Sequence, residues 1–520
     1  MKTRFAILPI FLLFATFLFS QQEFISGRLI DAKTKEPVVF ATIKSKAKAL
    51  GVISNMDGGF KIPLELKSYG DTLEISSMGY MTKSVLFSSL NLNRLNLVTI
   101  EPAIENLEEV VVRGKQRIGE LSAEEIVRMA ISRIPENHPL EPYSYVGYYR
   151  DYQLNQNQYS NLNEAIIEVF DQGFDATDYK TSKARIYDYK RNFEFPRDTI
   201  AEKPYDYRNK TKIIEVAVLR HHGGNEFTIL RVHDAIRNHK VNSYDFVNRL
   251  NIDFEKNHTF KLDPTTFLGD SKMYTIDFFR DEEGGINAEG RLFISKENFA
   301  IHKFKYSISH IKGSNRGLSK TLKRKKFFEI NTAYAPLKDK MYLNYNSVNN
   351  VFQVRRPPIF TLKSFRVNLK NKYYELDFSR LPRGLKAQKS GTYKIRYKGK
   401  RLKFEKLTVD GTRVLMYPEM KLGSINIEVF FSDKNDIDPE NFDIRIKRLV
   451  DEEGNVFNES EISEVNQYRE FFVQQVKPSM RAPKDTLFMN KKLPIFIDQP
   501  IVAPDNFSDY WMNTPLKSSE

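Results

Sequence analysis

His138 and Glu141 stand in H-x-x-E spacing, which places an imidazole nitrogen and a carboxylate oxygen as two potential zinc donors. A third, distant ligand would complete such a site, and His239 and His258 are the nominees. The setting argues against it. Pro139 and Pro142 brace the pair just past a helix stop, and eight His in 520 residues give such a spacing by chance. A solvent-facing turn between domains is the simpler reading. His221-His222-Gly223-Gly224 would suit an oxyanion loop, but no G-x-S-x-G nucleophile elbow accompanies it, so a turn with exposed imidazoles is expected.

Asn55 and Asp57 offer oxygens to calcium. One carboxylate without a D-x-D ladder falls short of the roughly six to eight oxygens that Ca²⁺ takes, and Asp57-Gly58-Gly59 reads as a hairpin turn. Asp281-Glu282-Glu283-Gly284-Gly285 and Asp451-Glu452-Glu453-Gly454 gather carboxylates in what read as acidic hairpin loops. The densest basic run, Lys320 to Lys326, has contact with lipid phosphate as its functional reading and a solvated loop as its plain one. The 65 Phe and Tyr residues would suit stacking on sugar rings, but strands favour aromatics and most belong in sheet cores. No catalytic, cofactor-binding or metal-binding residue is therefore assigned, and no cofactor is expected.

The elements that carry these residues follow an apolar leader. Residues 1–20 open with Lys2 and Arg4, continue through apolar Phe5 to Phe19 and end in small Ser20, the pattern of a secretory signal. Its removal lowers the net charge from +14 to +12. With no Cys, the chain forms no disulfides and has no thiol for lipid attachment. No later run reaches the roughly 18 apolar residues of a spanning helix. Short, charge-bearing strands and the ending Leu516-Lys-Ser-Ser-Glu520 argue against an outer-membrane barrel. An exported chain excludes nucleic acid as a partner, and its basic surface suits anionic lipid head groups or acidic glycans.

Residues 24–114 read as short strands and turns, with Val39 to Ile43, Phe60 to Ile62 and Thr72 to Ile75 among them. A linking helix is expected over 120–140, capped by Ser122 with Glu125, apolar at Ile126, Met129, Ala130 and Ile134, and stopped by Pro135 and Pro139. Residues 141–379 read as antiparallel sheet. Its strands are Tyr143 to Tyr149, Phe227 to Val232, Lys272 to Phe279, Gly290 to Ile294, Ala300 to Tyr306, Phe327 to Tyr345 and Ile359 to Leu376, with helix within 233–250. A basic, glycine-bearing stretch from Arg380 marks a boundary. Residues 380–520 carry strands at Thr392 to Tyr397, Ile425 to Phe431 and Phe442 to Lys447, an ambiguous segment at Tyr468 to Val476, and a loop-like tail.

Gly27 to Asp31, Pro37 to Ile43, Asp57-Gly58-Gly59-Phe60, Ser76-Ser77-Met78-Gly79-Tyr80 and Leu107 to Val112 together resemble the carboxypeptidase-regulatory-like domain, a prealbumin-type seven-stranded sandwich. Gly51-Val-Ile-Ser-Asn departs from the family's G-T-x-T-D. The resemblance implies a module found on starch-utilisation-type TonB-dependent transporters and other Gram-negative envelope proteins, and no peptidase activity, because the regulatory domain lacks the zinc site. Ala123 to Ala165 resembles a group of exported proteins that carry this domain, and Gly290 to Tyr306 resembles strands of the lipoprotein-carrier half-barrel. The expectation is a mainly β protein with an N-terminal sandwich, one linking helix, a large half-barrel-like antiparallel sheet and a C-terminal β-rich region. Its expected role is non-enzymatic binding or scaffolding in the periplasm or at the outer membrane. Its partner would be an envelope protein or outer-membrane component, with a glycan or lipid ligand. The alternative is a hydrolase, zinc-dependent or other, with a site in 141–520.

Overall fold

A computed structural model describes residues 23–515, except 48–49, 104–120, 156–157, 242–249, 251–253, 283–284, 313–322 and 432–436. The leader, the Leu107 to Val112 motif and the start of the basic run lie outside the described residues. The chain forms two compact units. The first takes residues up to Tyr205, Ile214–Phe352 and everything from Val465; the second takes Asp206–Ile213 and Gln353–Glu464.

The first unit begins with seven strands in two sheets. They are β1 (Phe24–Asp31), β2 (Thr42–Ser45), β3 (Gly51–Ile53), β4 (Gly59–Pro63), β5 (Thr72–Ser76), β6 (Lys83–Leu86) and β7 (Asn96–Ile100), ordered β4-β1-β7 and β3-β2-β5-β6. Period-2 alternation sends Ile25 and Leu29 of β1 inward to meet Ile43, Phe60, Ile75 and Val98. Gly58 takes φ 75° in the turn before β4, where a Cβ would lie 2.4 Å from the Leu29 carbonyl oxygen, so only glycine fits. The Tyr80 hydroxyl donates to Asp31 Oδ2 (2.9 Å), while Asp31 Oδ1 accepts from the backbone of Lys33 and Thr34. The expected strand from Val39 starts later: residues 39–40 form a turn, and Phe40 adopts φ 58°.

A capping box starts α1 (Ala123–Ser132), as Ser122 and Glu125 exchange hydrogen bonds of 3.2 and 2.7 Å. Pro135 does not stop the chain there; it occupies the first turn of a second short helix, α2 (Ile134–Asn137), where its missing N–H costs nothing.

The large antiparallel sheet is built from β8 (Tyr143–Asn155), β9 (Gln158–Asp171), β10 (Lys183–Arg191), β11 (Lys212–Ile213), β12 (Thr259–Leu268), β13 (Ser271–Glu282), β14 (Ile286–Ser295), β15 (Ile301–Lys312), β16 (Lys323–Leu337), β17 (Lys340–Arg355) and a C-terminal strand, Ile462–Lys477. Its path runs β10-β9-β8, then the C-terminal strand, then β17-β16-β15-β14-β13-β12. The segment left ambiguous by its residue pattern thus joins two meanders. Glu470 lies directly opposite Arg150, and both side chains are fully buried with Arg150 Nε 2.5 Å from Glu470 Oε2. Arg150 Nη1 also donates to Asn55 Oδ1 of the sandwich (2.7 Å) and to the Asn513 carbonyl (3.4 Å). The neighbouring Arg469 points to the other face, where it pairs with Glu226 and donates to Asn350 Oδ1 (2.8 Å).

The tail is loop-like in backbone but tightly held. Trp511, the single Trp, packs into the sandwich core and donates to the Lys61 carbonyl (3.0 Å), while Asn513 Oδ1 accepts from Lys61 N (2.9 Å). Two expected strands are helices. Glu226–Val232 is capped by the Asn225 side chain on Thr228 N (2.8 Å), and Phe227 through Leu230 are all buried, so the run shows no one-sided periodicity from which to tell helix from strand. Ile425–Phe431 is likewise a helix, burying Ile425, Asn426, Val429 and Phe430; packing overrides the β-branched composition. Among the described residues no helix is long and apolar enough to cross a membrane.

In the second unit, Leu362–Asn368, Tyr373–Phe378, Arg413–Pro418 and Phe404–Asp410 form a four-stranded sheet, and Lys400–Arg401, Tyr393–Tyr397 and Phe442–Ile446 a three-stranded one. Tyr374, Leu376, Ile395, Val414, Met416 and Val429 share one core. Tyr374 and Leu376 pack with residues beyond the basic stretch at Arg380, and the chain from Val465 belongs to the first unit.

Removing one partner of a buried ion pair leaves an uncompensated charge, which costs about 3–5 kcal/mol, whereas replacing both with apolar groups is often neutral. Arg150→Met should therefore lower stability by about that amount in urea titration, and the double variant Arg150→Met/Glu470→Met should recover most of it.

Candidate functional site

The sandwich lies along one face of the large sheet. Gly79 N donates to the Phe267 carbonyl on β12 (3.0 Å), Asn344 Nδ2 on β17 donates to Thr42 Oγ1 (3.0 Å), and the Phe40 ring meets Tyr345 with 5.0 Å between centroids. Between these contacts a cleft of about 430 Å³ remains, walled by Val39, Phe40 and Met56 of the sandwich and floored by β14, β15 and β16. Its volume falls within the range of roughly 300–1,000 Å³ common for small-molecule sites.

Register determines the floor. Arg291, Lys305 and Asn331 lie side by side across the three strands; Glu289, Ser307 and Glu329 form the next row, and Phe293, Lys303 and Ala333 the row on the other side. The alternate residues Phe278, Phe304, Tyr306 and Ile330 are buried on the opposite face, where Phe304 and Tyr306 pack against Phe278. This apolar packing holds the polar rows in place. Gly290 lies between Phe278 and Tyr306 in that apolar row, where a Cβ would meet the Lys305 carbonyl at 2.0 Å and the Phe278 ring at 2.3 Å.

Of the floor's cations, Arg291 and Lys326 are paired. Arg291 forms hydrogen bonds with Asp277 at 2.5 and 2.8 Å and with Asp263 at 2.8 Å, and the Asp277 carboxylate holds its pKa above the usual value. Lys326 pairs with Glu329. Lys303 differs. It is 9 % exposed, and among the described residues its ammonium has no hydrogen-bond acceptor or ion-pair partner, only the face of Tyr345 at 5.6 Å. Burial pushes its pKa down to about 8. Lys305, exposed at the cleft, is also pushed to about 8, first by the Lys303 charge and then by desolvation, with Glu329 partly offsetting. An unpaired, buried ammonium is costly and does not support the fold.

The other face of the sheet holds a second charged cluster. Arg237 grips Asp171 through two hydrogen bonds of 2.9 and 2.8 Å and donates to the Gly173 carbonyl, while Arg231 pairs with Asp178. Burial raises Asp234 to about 6, although Tyr334 donates to it at 2.8 Å. The spaces beside this cluster are about 10 and 20 Å³, room for at most one water each. These groups are partnered with one another and clamp helix to sheet.

The residues singled out for chemistry are not brought together. His138 is fully buried, not solvent-facing, with Nδ1 2.9 Å from the Ile134 carbonyl and its ring stacked on Phe174 at 4.3 Å, whereas Glu141 is exposed. His239 stacks on Phe174 as well, at 6.4 Å, so that ring lies against both imidazoles. His258 is held elsewhere, by the Phe254 carbonyl and the Tyr306 hydroxyl. No group of three or more His, Asp or Glu positioned to hold a metal occurs among the described residues. His221 accepts from Gly223 N in a 3₁₀ turn. Asn55 serves Arg150, and Asp57 pairs with Arg28 at 3.1 Å. From Lys323 the basic run forms the start of β16, an end of a sheet strand. Lys303 and Lys305 carry no sequence signal, because alternating lysines on a strand usually mark a solvated face.

Residues 25–112 match the model of the CarboxypepD_reg-like domain. No curated protein matches the chain. Among solved structures, a LolA superfamily protein from Nitrosomonas europaea aligns with 9 % identity over 44 % of this chain and 86 % of its own, at a TM-score of 0.18, too low to bear on fold or ligand.

The burial of His138 has a consequence for stability. Desolvation is the main cause of its pKa falling to about 3, with the Ile134 hydrogen bond opposing. Below about pH 6.5 the unfolded chain takes up a proton that the folded chain refuses until about pH 3, so this group's contribution is full above 6.5 and is lost progressively below it, by about 1.4 kcal/mol per pH unit. Urea titrations at pH 7 and pH 5 should show His138→Phe losing about 2 kcal/mol less than the unsubstituted chain over that interval.

Proposed function

We propose that this chain is a non-enzymatic, exported protein of the bacterial cell envelope that holds a small ligand between its sandwich and its large sheet. The observation that carries the reading is the cleft of about 430 Å³ with a buried, unpaired Lys303 in its floor. Support for export comes from the apolar leader of residues 1–20 and from the kinds of proteins in which domains like residues 25–112 occur. The sandwich acts here as a wall of the binding site and a brace for the sheet, through Asn55, Phe40 and Trp511. Its exposed side remains free to meet an envelope protein or outer-membrane component, and nucleic acid plays no part. The polar floor suits a head group or glycan better than a hydrocarbon chain.

The test is to fill the cleft from its sandwich wall. Protein with Met56→Trp, purified from the cells that make it naturally, should carry at least tenfold less bound small molecule by mass spectrometry of organic and aqueous extracts than the unsubstituted chain. Equal content, or an empty unsubstituted protein, overturns the reading. Recovery of the chain in the cytosol on fractionation overturns its exported part.

A further inference from the structure

The ligand's chemistry can be argued from the charges that lack partners. On the sandwich-facing side of the sheet, buried and half-buried cations have anions beside them: Arg150 has Glu470, Arg291 has Asp277 and Asp263, and Lys477 has Glu168 at 3.1 Å. Lys303 breaks this pattern, and next to it Lys305 is only partly balanced by Glu329. Two residues apart on β15, they project from the same face, with Cα atoms about 7 Å apart, so flexible four-carbon stems can converge on one group. Lys303 would be better replaced by a residue of its own shape without charge if folding were its only task. Two adjacent ammoniums, one of them shielded from water, call for two negative charges from outside the fold. The acidic residues of the floor supply them only in part: Glu329 acts on Lys305 but already pairs with Lys326, and Glu289 and Glu329 occupy the row farther from Lys303.

We propose that the cleft binds an organic phosphate ester, its phosphoryl group held by the ammoniums of Lys303 and Lys305 and its organic body lying against Val39, Phe40 and Met56. This rests on the reading of the cleft as a ligand site and specifies what enters it. A phosphoryl dianion matches both charges, and ammonium groups act on it as point charges with rotatable donors. The cleft is several times the size of phosphate alone and has an apolar wall, which favours an ester over the inorganic ion. The same phosphoryl chemistry is carried by a lipid head group and by a soluble sugar or polyol phosphate.

Calorimetric titration of the full-length protein tests this with glycerol 3-phosphate, dihexanoyl phosphatidic acid, inorganic phosphate and glycerol. At least one ester should bind at least tenfold more tightly than inorganic phosphate, and glycerol should not bind. Tighter binding of the phosphatidic acid assigns the lipid source, and tighter binding of glycerol 3-phosphate the soluble one. Lys303→Met and Lys305→Met should each weaken the ester at least tenfold, while the ligand-free melting temperature of Lys303→Met stays level or rises. The proposal is overturned if neither ester binds, if inorganic phosphate binds as tightly, if the Lys303→Met variant binds equally, or if it melts several degrees lower, since the ammonium would then serve the fold. Failure of the esters alongside a loss of bound small molecule in Met56→Trp removes the phosphate assignment and leaves the cleft as a site. Failure of both removes the site.

Discussion

The architecture of the first unit depends on two adjacent residues of its C-terminal strand. Arg469 and Glu470 point to opposite faces of the large sheet, as successive strand residues must, and each meets an opposite charge in a dry environment. Glu470 holds Arg150, which reaches on to Asn55 in the sandwich and the Asn513 carbonyl in the tail. Arg469 holds Glu226 at the start of a buried helix, and Asn350 on β17. One dipeptide thus ties together both covering layers and both meanders. Such pairs are poor sources of net stability but strict about geometry, because a register slip of one residue would leave each charge buried beside nothing.

Much of this was legible from the residues. The capping box at Ser122, the turn at Gly58, the Ser295 to Phe299 hairpin and the sandwich itself follow local rules that operate over a few positions. What was not legible depends on distant partners. Glu226–Val232 and Ile425–Phe431 are short, largely apolar runs whose helical state is decided by what covers them. The ambiguity of Tyr468 to Val476 has the same origin: a central strand holding Arg469 and Glu470 reads as polar until Glu226 and Arg150 are placed beside it. Trp511 stands in a proline-rich tail that no local rule would assign to a core formed by residues 25–100.

The candidate site illustrates the reverse case. The conspicuous motifs mostly serve structure: Tyr80 and Asp31 stabilise a turn, Asn55 satisfies an arginine, and His138 is a ring in a stack. Lys303 and Lys305, by contrast, are inconspicuous in sequence, and become exceptional only when Phe40, more than 200 positions away, lies over the strand beside them. A sandwich that looked like an independent module is one wall of a cleft whose floor is the large sheet of the same unit.

The position of the C-terminal strand also shapes how the molecule comes into being. Its partner on β8 is 320 residues upstream. While the chain is being synthesised, β8 and β17 are both open edges, each able to pair with a strand of another molecule. The two meanders cannot be joined until residue 477 is available, nor can the sandwich core be completed until residue 511 is. Assembly is therefore governed by contacts of very high sequence separation, which fold slowly. Until residue 477 is available, both meanders present unpaired strand edges that only a distant part of the chain can cover.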